Sequence, residues 1–99
     1  MAEPYDLAHA IRTIRTARGL SQEAFSDVSS RTYMSTLERG LKNPTWAKLV
    51  ELCEVMQIHP LTLCTLAYAQ DNREVDALQA RVRAELRDIA TAVRSTRRN

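Results

Sequence analysis

The sequence predicts an all-α protein, on three observations. Apolar residues recur at three- and four-residue steps through most of the chain. Residues that start or stop helices stand between those runs: Pro4, Gly19, Ser21, Gly40, Pro44, Thr45, Pro60 and Asp71. The last third carries one regular stripe, Val75, Leu78, Val82, Leu86, Ile89 and Val93, which spans eighteen residues in five turns. The expected organisation is five helices over residues 1–69, then one long amphipathic helix and a basic tail over residues 70–99.

Pro4 suits the first position of a helix, where its missing amide would be unpaired anyway. That helix is expected to run to about Arg18, burying Leu7, Ala10, Ile11 and Ile14 and leaving Arg12 and Thr16 nearer solvent. Gly19 closes it, and Ser21 can cap a second helix over Gln22 to Val28, with Ala24 and Phe25 inward. Ser29 and Ser30 break that helix, and either can cap a third from Arg31 to Arg39. Met34 and Leu37 share one face of this third helix, with Arg31, Thr32, Ser35, Thr36 and Arg39 largely on others, and Gly40 is the stop.

Beyond it, Pro44 prevents further helix and Thr45 caps a fourth, whose broad apolar face is Trp46, Leu49, Val50, Leu52, Cys53 and Met56. Phe25 and Trp46 are the expected aromatic anchors of the core. Gln57 leads to His59 and Pro60, read as cap and first position of a fifth helix that is apolar on most sides. In so small a domain that helix must meet the C-terminal helix or a second subunit. Asp71, followed three residues later by Glu74, is a capping-box start for the last helix, running to about Arg94. Its stripe either packs within the chain or forms a dimer or docking surface, because an exposed stripe of this length is an association site by default.

The words LSQEAF, RTYMSTLERG and LKNPT, at these spacings, resemble the helix-turn-helix of the XRE family of bacterial and phage repressors over about Leu7 to Tyr68. The resemblance implies a five-helix, repressor-like DNA-binding domain whose recognition helix, about Arg31 to Arg39, enters the major groove. Arg31, Thr32 and Thr36 match the family's base-reading positions. An arginine there can make a bidentate pair with guanine, and a threonine methyl can pack on thymine. Gln22, Arg39, Lys42 and Asn43 are expected at the DNA backbone, and Lys48 is a smaller candidate. Tyr33 either touches a phosphate or sugar or packs on the preceding helix. The resemblance also implies an ion pair between Arg15 and Glu38; the alternative is an ordinary surface pair. In one departure, only Val28, Ser29 and Ser30 separate Asp27 from Arg31. Family members usually place a glycine and about two more residues there, so the first helix of the motif should end early or the turn should tighten.

Charge fits this reading by its distribution rather than its total. Residues 12–48 hold seven basic groups against three acidic ones, whereas residues 1–70 balance at seven each. The positive charge therefore sits in and around the motif, a footprint suited to phosphate. From Asp71 onward seven arginines face five acids, with Arg94, Arg97 and Arg98 crowded at the end, as a solvated terminus or a DNA-contacting arm. Cys53 and Cys64, eleven apart and among leucines, read as reduced and buried rather than disulfide-linked. No histidine or cysteine spacing indicates a metal, and no cofactor or catalytic constellation is expected. Nor does any apolar run approach the ~18 residues that would cross a membrane, and no signal peptide is expected.

The expected function is that of a sequence-specific, cytoplasmic bacterial regulator, associated with the nucleoid when bound to double-stranded DNA. As a homodimer it would read a pseudo-palindrome with half-sites about one helical turn apart, through ~6 to 8 phosphate contacts, and block or recruit polymerase. The alternative is an antitoxin-like or other protein-interaction module whose C-terminal helix holds a different protein.

Overall fold

The computed structural model describes residues 5–97, so the expectations for Pro4 and Arg98 lie outside the described residues. The described chain is helical throughout, with five α-helices, a short 3-10 helix and no strand. It divides between Tyr68 and Ala69 into two compact units.

In the first unit, α1 (Leu7–Ala17) starts later than the expected Pro4, because Asp6 supplies the cap, its carboxylate accepting the His9 amide at 3.0 Å. Gly19, at φ 70°, ends the helix by turning the chain left-handed, so that the Leu20 amide donates to the Arg15 carbonyl at 3.0 Å. A 3-10 helix, Gln22–Phe25, then replaces the expected α-helix from Gln22 to Val28. The three-residue link to Arg31 leaves no room for a second turn, and the Phe25 carbonyl closes the segment by accepting from the amides of Val28 and Ser29 at 3.0 and 2.8 Å. Ser21 makes no side-chain cap here, contrary to expectation; its backbone carbonyl accepts the Ala24 amide instead. Ala24, expected inward, is exposed, because a single 3-10 turn presents one residue to the core, and that residue is Phe25.

Helix α2 (Arg31–Glu38) is capped by Ser30, whose hydroxyl accepts the Tyr33 amide at 3.0 Å. It ends at Gly40, φ 74°, where the Leu41 amide reaches the Thr36 carbonyl at 3.1 Å. Helix α3 (Trp46–Met56) is capped by the Thr45 hydroxyl and closed by Gln57, which adopts the left-handed conformation (φ 57°, ψ 47°) that glycine would take without strain. Helix α4 (Pro60–Tyr68) starts with the Leu61 amide bonded to His59 Nδ1 at 3.0 Å.

Helix α1 lies against α4, and the Asp6 amide donates to the Ala67 carbonyl at 2.8 Å. The core is Ala10, Ile11 and Ile14 of α1, Phe25, Met34 and Leu37 of α2, Leu49, Leu52, Cys53 and Met56 of α3, and Leu63 and Ala67 of α4. Trp46 is not among them, at 59% exposed. It sits one turn ahead of Leu49, past the edge of the core, and side chains on a helix lean toward its N-terminus and so farther from that core. Leu61 and Tyr68, on one face of α4, are exposed as well.

The second unit is α5 (Asn72–Arg97), longer than expected from its stripe by one turn. Asp71 Oδ1 accepts the Glu74 amide at 2.8 Å, while Glu74 Oε1 accepts the amide of Gln70, one residue before the usual partner in a capping box. Val75 and Leu78 are half-buried, and Val82, Leu86, Ile89 and Val93 are exposed. Among the described residues no single helix is long and apolar enough to cross a membrane.

Candidate nucleic-acid interface

The interface is built on α2, which is held from beneath. Met34 and Leu37 are buried, and Glu38, 7% exposed, is the buried charged residue among them. From α1, Arg15 meets that carboxylate as a fork, Nε donating to Oε2 at 2.6 Å and Nη2 to Oε1 at 2.9 Å. The third arginine nitrogen, Nη1, donates to the Leu20 carbonyl at 2.7 Å, so one side chain joins α1, the start of the motif and α2. This bonding to Glu38 raises the Arg15 pKa against the opposing pull of desolvation, and the guanidinium stays charged.

Two turns ahead of Glu38, at the start of α2, Arg31 and Thr32 are exposed, with Ser35 and Thr36 half-buried a turn later. Arg31 stands at a helix start, where the macrodipole disfavours a cation. Its Nη1 donates to Glu23 Oε1 at 3.2 Å, a solvent-exposed pair that offsets the dipole. The Thr36 hydroxyl donates back to the Thr32 carbonyl at 2.8 Å, which fixes its rotamer. Tyr33 is half-buried and packs against the core, so of its two expected duties the packing one is visible. Arg39, Lys42 and Asn43 follow α2 as exposed polar residues, a loose basic cluster at its C-terminal end.

Two residues expected at phosphate are engaged elsewhere. The Gln22 amide turns inward and donates to Glu38 Oε1 at 3.3 Å, completing the shell around the carboxylate. Lys48, reaching from α3, donates its Nζ to the Val28 carbonyl and lies 3.8 Å from Glu51. It thereby braces the shortened turn ahead of α2, a role that sequence spacing does not reveal. The only hint was that a clipped turn leaves backbone carbonyls in need of donors.

Residues 6–63 match the profile of a family described as a helix-turn-helix domain. The chain belongs to this helix-turn-helix family. It is of the XRE type, the DNA-binding regulators of transcription. The solved structure of the restriction-modification controller protein C.AhdI from Aeromonas hydrophila is similar to this regulator. The TM-score is 0.57 at 31% sequence identity, over 64% of this chain and 98% of that one. No curated protein sequence matches. The family match ends at residue 63, so α5 lies outside it.

Proposed function

We propose that this helix-turn-helix regulator binds a pseudo-palindromic DNA operator as a homodimer, with α2 of each copy in a major groove. The observation that carries the reading is the two-sidedness of α2. Its buried residues Met34 and Leu37 and the Glu38–Arg15 fork fix the helix to the core, and its exposed first turn carries Arg31 and Thr32. A rod locked at its base can place a guanidinium against a guanine edge reproducibly, which specificity requires.

Arg31, Thr32 and Thr36 are the base-reading residues in this proposal, and Arg39, Lys42 and Asn43 hold the phosphates. Tyr33 sets the height of the helix through its packing. The side chain of Gln22 serves the ion pair, which leaves its backbone amide as its phosphate donor. Exposed apolar residues on α4 (Leu61, Tyr68) and on α5 support the homodimer. Such a protein works in the cytoplasm on the nucleoid. The α5 stripe equally supports the second reading, an antitoxin-like or other module that holds a different protein.

Selection of bound duplexes from a random library tests the proposal. The unsubstituted chain is expected to enrich an inverted repeat with half-sites about one helical turn apart. Arg31→Ala combined with Thr36→Ala should lose that enrichment while still binding DNA weakly. Equal enrichment by both chains would remove α2 as the reading head, and no enrichment by either would leave the protein-interaction module.

A further inference from the structure

We infer that residues 82–93 of α5 pair in parallel with the same residues of a second copy of the chain. The inference rests on the homodimer reading above and adds to it the surface and its direction. Val82, Leu86, Ile89 and Val93 follow one another at steps of four, three and four residues, so they form one straight exposed seam.

The charges beside the seam are sorted by sign. With about 100° of rotation per residue, Glu85 and, farther round, Asp88 fall on one side of it, and Arg83, Arg94 and, farther round, Arg87 on the other, all exposed. Arg81 shares the acidic side, where its Nε already donates to Glu85 at 3.4 Å. Ala90 and Ala92 border the seam on either side and are small enough for a second helix to approach.

Symmetry then decides the direction. When two identical helices pair in parallel, the two-fold axis runs along them, and the left side of one meets the right side of the other. The acidic border of each copy then lies against the basic border of its mate. In an antiparallel pair the axis crosses the helices, and each border meets its own counterpart. Glu85 and Asp88 would face acids, and Arg83, Arg87 and Arg94 would face arginines, a like-charge arrangement that disfavours that mode. A lipid surface is a poorer occupant, because Glu85 and Asp88 would be pressed against anionic headgroups.

Disulfide trapping in the full chain tests this. Val82→Cys and Val93→Cys are made singly, oxidised alone and as a mixture after subunit exchange, with the unsubstituted chain as the control for Cys53 and Cys64. Parallel pairing predicts that each variant links to itself in most molecules and that the mixture yields no crossed 82–93 species. A crossed species without self-linking would overturn the direction. A failure of both, whether sedimentation finds a monomer, a dimer through another face or a complex with a different protein, would overturn the surface itself. Duplex selection by the unsubstituted chain is scored separately, so a chain that selects DNA without linking loses only this inference. One that links without selecting DNA loses only the proposed function.

Discussion

Glu38→Ala is the substitution that puts most of the physical reasoning at risk. The Glu38 side chain is 4% exposed and its carboxylate receives three hydrogen bonds, two from Arg15 and one from Gln22, and the Arg15 side chain is 16% exposed. Removing it leaves a largely desolvated guanidinium with a single remaining acceptor, the Leu20 carbonyl. Breaking a buried pair from one side costs ~3–5 kcal/mol, a large share of the total for a domain whose stability is about 0.05–0.15 kcal/mol per residue. Arg15→Ala should cost a similar amount, since it strands the carboxylate instead. The double variant should lose ~2–3 kcal/mol less than the sum of the two, because the second substitution removes the orphan left by the first. Urea unfolding followed by far-UV circular dichroism at one fixed chain concentration supplies all four corners of this cycle, and thermal unfolding should show a Tm fall of about 4–8 °C for each kcal/mol. A loss under ~1 kcal/mol for Glu38→Ala, or strict additivity, would place the pair among surface ion pairs and refute its role as the anchor of α2.

Lys48→Met should relax base discrimination in duplex selection while leaving the salt slope of binding unchanged, because the ammonium braces the Val28 carbonyl. A slope smaller by ~1.8, ~0.9 for each of the two copies in the dimer, would instead make Lys48 a phosphate contact. Gln57→Gly relieves the left-handed strain at the end of α3 and should raise stability by about 0.5–1 kcal/mol in the same urea assay; a lower midpoint would contradict this. Burial, with a smaller contribution from Cys64, pushes the Cys53 thiol from 9.0 up to about 11. A folded pKa above the unfolded one stabilises fully below pH 9.0 and loses that contribution as pH rises toward about 11. Thiolate absorbance in the folded chain should accordingly rise for Cys53 only near the upper value, and labelling at about pH 8 as fast as in urea would refute it.

Helix limits were legible wherever a local device sets them. Gly19, Gly40, Thr45, His59 with Pro60, and Asp71 each close or open a helix as their chemistry requires, and Gln57 takes the left-handed conformation that glycine favours. The motif was legible as words, and its inner residues Met34 and Leu37 followed from periodicity. What escaped was whatever depends on the third dimension. Projection at 3.6 residues per turn misplaced Ala24, because the segment is wound at three. It also put Trp46 inside, because periodicity marks a row along a helix but not where the core beneath that row ends. In the interface, the exposure of Arg31 and Thr32 matches their polarity, whereas the inward turn of Gln22 and the reach of Lys48 follow from where Glu38 and Val28 happen to lie across the fold.

If Arg31 reads bases as proposed, its exposed pair with Glu23 gives the reading head a built-in competitor. A guanine that offers two acceptors can outbid one carboxylate oxygen for that guanidinium, whereas an adenine or thymine edge cannot, so on a wrong sequence the arginine stays home. The carboxylate meanwhile repels the phosphate lattice of any duplex that has not lured its partner away. On that proposal, casual encounters along a chromosome would be kept short, and dwell time would become a property of the correct base step rather than of charge alone.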